Sequence, residues 1–305
     1  MSLEHVIARL VSGRPLVVAA DANASLRARG LELDVPGALG MLLRSRPDEV
    51  LAHHRVEVSC RADVLVALTA DTTPRALAEV GMEHRSAQLT GRAVELALEA
   101  ADDSPKPVAV AGVLGSDQVS PIAANRLHEE LIEHCERIAV AGCELLIARG
   151  QGSRVNLIAA VVAAARTELM TWAVVETRDP DLVVDRALFE SLRDAGASAV
   201  LFELASVSRG LAELERVKDA IEEAGLASGV LLAASESAVP GFADRSLAPE
   251  TWADHAVDLD LAGARVIGGG AGTTEEHLYE LAAALGSLHP SIAARRSDTE
   301  IDPKL

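Results

Sequence analysis

Residues 171–203, TWAVVETRDPDLVVDRALFESLRDAGASAVLFE, contain the unit from which the fold follows. The stretch opens on a short apolar run, Thr171–Val175, and closes on a second, Ala197–Glu203. Between them, Asp181–Ala195 has helical spacing and stops at Gly196, a residue that ends helices because it accepts a left-handed backbone. Apolar runs without polar alternation suit strands buried on both faces, as in a parallel sheet covered by helices.

The same unit recurs on either side. Further apolar runs lie at Pro15–Ala20, Asp63–Thr69, Pro107–Gly112, Glu144–Ala148, Gly229–Ala234 and Ala264–Gly268. Helical segments are expected at Pro47–Cys60, Pro121–Ala141 (behind Ser120 as N-cap), Ser153–Thr167, Gly210–Ala224, Pro249–Ala262 and Thr274–Leu285. Eight strand–helix repeats predict an α/β protein, a single-domain (β/α)8 TIM barrel over residues 1–288, followed by a polar tail, 289–305. An open doubly wound sheet has fewer strands and a phosphate loop after its first. Here that strand leads into Asp21-Ala22-Asn23-Ala24-Ser25, which is not GxGxxG.

Composition narrows the function. The chain has 305 residues, 28 Lys+Arg against 46 Asp+Glu and a net charge of -18, with no basic run, which argues against a nucleic-acid partner. Hydrophobic residues make up 49 % but aromatic ones only 2 %, so the core rests on many small aliphatic contacts. No apolar stretch is long enough to span a membrane, and MSLEHVIARL does not resemble a signal peptide. Cys60, Cys135 and Cys143 follow no pairing pattern, which fits a reducing, cytoplasmic setting. Cys135 and Cys143 are expected to pack as small hydrophobes.

Barrel chemistry sits where strands run into helices. Those positions hold Asp21 and Asn23, Thr69 and Asp71, Arg149, Glu176, Glu203, Glu236, and the glycine run Gly268, Gly269, Gly270. A small-molecule ligand is expected there. Asp21, Glu176 and Glu203 are candidate acid, base or cation-holding groups, with Arg149 as counter-charge. The alternative is that several are helix caps and solvated loop charges. The glycine run serves either as an anion-binding loop or as a tight turn. The histidines show no ligand spacing: HExxH is absent, and the adjacent His53 and His54 are expected on different sides of their helix.

The order of segments resembles the homocysteine S-methyltransferase family. The likeness rests on LVVAADANASLRARG (16–30), PDEVLAHHRVEVSCRADVLVALTADTT (47–73), the loop after 108–115, the helix and strand of 127–146, and above all GARVIGGGAGTTEEH (263–277). The resemblance implies a TIM barrel that transfers a methyl group to a small thiol or related acceptor, and association into a homo-oligomer. It also implies zinc held by three cysteine thiolates, at positions that here carry Leu204, Gly270 and Ala271, while the family's amino-acid-holding Glu falls on Arg149. On that ground no cofactor is expected, zinc included. The alternative is a non-catalytic or repurposed barrel, a scaffold or a binder of small anions.

Overall fold

A computed structural model describes residues 2–33, 35, 37–115, 123–150, 153–176, 183–204, 206–234 and 247–288. All eight apolar runs form strands: β1 (Leu16–Val18), β2 (Val64–Val66), β3 (Ala109–Leu114), β4 (Leu145–Arg149), β5 (Met170–Glu176), β6 (Ala199–Leu204), β7 (Ala227–Leu232) and β8 (Val266–Gly269). Each pairs in parallel with the next, and β8 returns to β1 through Leu16↔Val266 and Val18↔Gly268. The sheet is a closed barrel, so no edge strand is left exposed.

Twelve helices are described: α1 (Ser2–Ser12), α2 (Ala22–Ala28), α3 (Ala38–Ser45), α4 (Pro47–Ser59), α5 (Pro74–Ala78), α6 (Ser86–Asp102), α7 (Ala124–Ala141), α8 (Arg154–Ala165), α9 (Arg186–Ala195), α10 (Val207–Glu223), α11 (Pro249–Leu261) and α12 (Glu275–Leu288). α8 is capped by Ser153, whose hydroxyl accepts from Asn156 N–H, and α9 ends at Gly196 with φ 110°. α7 starts at Ala124 rather than Pro121, because Ala123 is still extended (φ -60°, ψ 141°). Ser120, Pro121 and the tail 289–305 lie outside the described residues.

Burial on two faces explains the apolar runs. Leu145, Ile147, Trp172, Val174, Ala199 and Leu201 fill the barrel interior. The residues between them, among them Leu146, Ala148, Ala173, Val175 and Val200, pack outward against the helices. Alternation along each strand therefore divides one apolar run between two cores. At Gly229 of β7 a Cβ would meet the Leu201 side chain at 2.4 Å and Val266 O at 2.9 Å, so glycine lets a large side chain cross the interior. α1 closes the end of the barrel where the strands begin: Val6 is fully buried against the interior cluster, worth about 2 kcal/mol. No described helix is long and apolar enough to cross a membrane.

Candidate functional site

The alternation that points Leu145, Ile147, Trp172, Val174, Ala199 and Leu201 inward makes Arg149, Glu176 and Glu203 the next inward positions on β4, β5 and β6. Glu176 and Glu203 are direct register partners. Neighbouring strands lie about 4.8 Å apart, and two carboxylates at that spacing repel by roughly 3 kcal/mol at an effective dielectric of about 20. Solvent at the barrel mouth screens part of this, since the side chains are 20 % and 15 % exposed. Arg149 offsets the rest: its guanidinium hydrogen-bonds Glu203 and lies 3.8 Å from Glu176. The three side chains thus form one half-buried cluster with one net negative charge.

The other strand-end candidates are spread around the rim. Asp21 caps α2, accepting from Asn23 N–H at 3.0 Å with Oδ1 and from Gly272 N–H at 3.1 Å with Oδ2. It joins the loops after β1 and β8, and Asn23 lies in the first turn of α2. Thr69 is fully buried; its hydroxyl donates to Val113 O at 3.0 Å and accepts from Val113 N–H at 2.7 Å, stitching β2 to β3. Asp71 is half-buried in a 3-10 turn, Ala70–Thr72. Glu236 lies outside the described residues.

The glycine run is a tight turn. Gly269 N–H donates to Ala19 O, Gly270 to Leu232 O, Gly272 to Asp21, Thr273 to Gly270 O and Thr274 to His277 Nδ1. Each of these N–H groups has an acceptor within the protein, as in a tight turn. A Cβ at Gly268 would meet Leu231 Cδ2 at 2.7 Å, and one at Gly269 would meet Thr273 Oγ1 at 2.2 Å. Of the positions matched to the family's thiolates, Leu204 is buried in the outer core. A Cβ at Gly270 would meet Ala233 N at 2.9 Å, and Ala271 carries only a methyl group. The strand ends bring no metal-binding side chain to these three places.

A polar group one layer out was missed by the sequence reading. His53, His54 and Glu57 of α4 are buried together, with ligand atoms within 4.8 Å of one another. Glu57 stands at i+4 from His53 and i+3 from His54, so all three share a face. This corrects the expectation that the histidines diverge; their rings lie 5.1 Å apart. The spacing HHxxE is the signal that finds them. Glu57 Oε2 lies 3.2 Å from His54 Nδ1 and 3.5 Å from His53 Nε2, while Oε1 accepts from Ala20 N–H at 3.1 Å. Nδ1 of His53 lies 3.1 Å from Glu275, itself paired with Arg29. Burial pushes the pKa of His53 down, but Glu57 and Glu275 outweigh it and leave it raised; burial lowers that of His54.

The donor set suits a divalent metal. With metal–ligand bonds of about 2.0–2.1 Å, tetrahedral ligands stand roughly 3.3 Å apart, close to the two separations above. Glu275 on the far nitrogen of His53 is the carboxylate partner that orients a ligating imidazole. His54 Nε2 is buried with no hydrogen-bond partner.

The profile of a family described as homocysteine S-methyltransferase matches residues 20–285. The homocysteine methyltransferase MmuM from Escherichia coli, in its metallated form, is similar with a TM-score of 0.71 at 19 % identity, over 88 % of this chain and 96 % of that one. Its oxidized form gives 0.71 at 21 %, over 89 % and 96 %. 3-Dehydroquinate dehydratase from Geobacillus kaustophilus gives 0.53 at 10 %, over 91 % and 93 %. At these identities the structures establish the barrel fold. The expectation of no cofactor, zinc included, is corrected: a metallated form stands among the similar structures, and α4 carries three buried metal-binding side chains. The donors lie on a helix rather than at the strand ends where the family resemblance places them.

Proposed function

Because the chain belongs to the homocysteine S-methyltransferase family, we propose that it transfers a methyl group to a small thiol or related acceptor bound at the barrel mouth. The observation that carries this reading is Arg149 set between Glu176 and Glu203 at the ends of three successive strands. An amino-acid acceptor needs a cation for its carboxylate and an anion for its ammonium group, and the cluster offers both. In the transfer, the acceptor sulfur bonds to the methyl carbon as the bond from that carbon to the donor breaks. The thiol proton passes to Glu176 or Glu203, and Asp21 steadies a cationic group at the rim. The free cysteines suit a reducing compartment such as the cytoplasm.

His53, His54 and Glu57 are the residues that would hold a metal. Their site is closed to solvent, so a metal there would tie one face of α4 together in a structural role, while Glu57 Oε1 keeps its hydrogen bond from Ala20 N–H beyond β1. A second reading, a barrel that binds without catalysing, is favoured by the absence of donor atoms at Leu204, Gly270 and Ala271.

The test combines L-homocysteine with S-adenosylmethionine or methylated folates as donors and follows methylated product by mass spectrometry. Thermal melts with homocysteine alone run beside it, on the wild type and on Arg149→Met. Product that disappears in the variant supports transfer. Stabilisation by homocysteine without product supports the binding barrel. Neither product nor stabilisation refutes the assignment of the mouth.

A further inference from the structure

At the end of the barrel opposite the mouth, where the strands begin, lies a cavity of about 840 Å³. Its charge is contrary to that of the chain. The whole sequence has 28 basic against 46 acidic residues, yet among the described residues that line it this cavity gathers Arg9, Arg14, Arg55, Arg61 and Lys106 around the two acidic ones, Asp63 and Asp103.

The two carboxylates are already engaged. Asp63, almost fully buried, accepts from Val17 N–H at 2.9 Å and from Lys106 at 3.1 Å, and lies 3.3 Å from Arg9. Asp103 accepts from Arg55 at 2.9 Å, and Arg55 also reaches Glu99 at 3.2 Å. Arg14 and Arg61 line the same cavity with no ion pair among the described residues.

Arg61 is held there against its backbone preference. It has φ +67° in the turn that closes α4, where Arg61 N–H donates to Val58 O and Ala62 N–H to Glu57 O. After α7, α9, α10 and α11 the left-handed position is taken by Gly142, Gly196, Gly225 and Gly263, the residue that bears this conformation without strain. At Arg61 a long cation stands instead. Its guanidinium extends over the cavity toward α12, where a Cβ on Gly286 would lie 3.9 Å from Arg61 Nη1. Val17, Val58, Ala100 and Leu285 give the cavity apolar walls beside this charge.

We propose that this cavity is a binding site for a small phosphate-bearing anion with an apolar or planar body, of nucleotide size, whose phosphates are held by Arg14 and Arg61. The guanidinium fork matches phosphate oxygens in pairs. The volume lies in the range of ligand pockets, roughly 300–1,000 Å³, and the apolar walls receive the uncharged part. The site is separate from the strand-end cluster and independent of the reaction proposed there.

Calorimetric titration of the full chain with magnesium-free ATP, pyrophosphate and adenosine tests it, using the wild type and Arg14→Ser/Arg61→Gly. The variant keeps the fold, since glycine suits the backbone at 61, and circular dichroism with a thermal melt verifies this. ATP and pyrophosphate are expected to bind the wild type. Adenosine, and ATP on the variant, are expected to bind at least about tenfold more weakly, the factor equivalent to about 1.4 kcal/mol. No binding of ATP or pyrophosphate to the wild type, or equal ATP affinity in the variant, overturns the proposal.

Discussion

Lowering the pH toward 4 should destabilise the protein through His134, by an amount the structure allows to be worked out. His134 lies on α7, 1 % exposed, with Nε2 donating to the Thr69 carbonyl at 3.0 Å. Burial pushes its pKa down, the Thr69 hydrogen bond opposes this, and the charge of Arg137 adds to the lowering; the result is about 4, against an ordinary 6.5. The unfolded chain therefore takes up a proton below about pH 6.5 that the folded chain refuses until about pH 4. Stability is lost progressively as pH falls between those values. At 1.36 kcal/mol per pKa unit, the loss from this one side chain is about 2 kcal/mol at pH 5 and about 3 kcal/mol once pH is below 4. Urea unfolding followed by circular dichroism, at several pH values between about 7 and 4.5, would be run on the wild type and on His134→Gln. The buried His54 and His277 are also shifted down, by desolvation first, and contribute equally to both proteins, so the difference between the two isolates residue 134. That difference should change in favour of the variant by about 2 kcal/mol between pH 7 and pH 5. A difference independent of pH would show that His134 does not stay neutral in the fold.

Two further outcomes are expected. Zinc added to metal-free protein should raise Tm, and Glu57→Gln should remove the shift; at a hundredfold excess over Kd the gain is about 2.7 kcal/mol, and unchanged wild-type melting would refute the metal-holding role of His53, His54 and Glu57. Glu168, which follows α8 with φ +62°, should be improved by Glu168→Gly, by about 1 kcal/mol in urea unfolding; a loss of stability would mean that its side chain contributes more than its backbone costs.

Much of the fold is legible in the sequence because a doubly buried strand leaves a plain trace. Ala-Val-Leu-Phe at 199–202 or Leu-Leu-Ile-Ala at 145–148 admits few other environments, and Gly196 and Gly225 mark the helix ends. Five helices, α1, α2, α3, α5 and α6, escape that reading. α6 has no side-chain cap at its start and carries Gly91 in its second turn, while α1 precedes the first repeat and belongs to no strand–helix unit. At the site, Arg149, Glu176 and Glu203 were accessible because strand alternation alone puts them on the axis. Thr69 illustrates the opposite case: it follows a strand, yet its hydroxyl is consumed by Val113. The α4 group was hidden because adjacency of His53 and His54 suggests divergence, and only the shared carboxylate at 57 shows that both turn toward one point.

Closure between the first and last strands has a consequence for how the chain is made. Leu16 donates its N–H to Arg265 O, and Arg265 reaches back to Gly13 O, so the seam joins segments about 250 residues apart. On a ribosome adding roughly 5–20 residues per second, α1 and β1 emerge tens of seconds before β8 exists to complete the wall. Throughout that interval the nascent polypeptide holds an unfinished sheet with two bare edges and an apolar inner face. Its biosynthesis thus depends on whatever shields such a surface in the cell, and a message truncated before codon 266 would yield a product unable to seal itself.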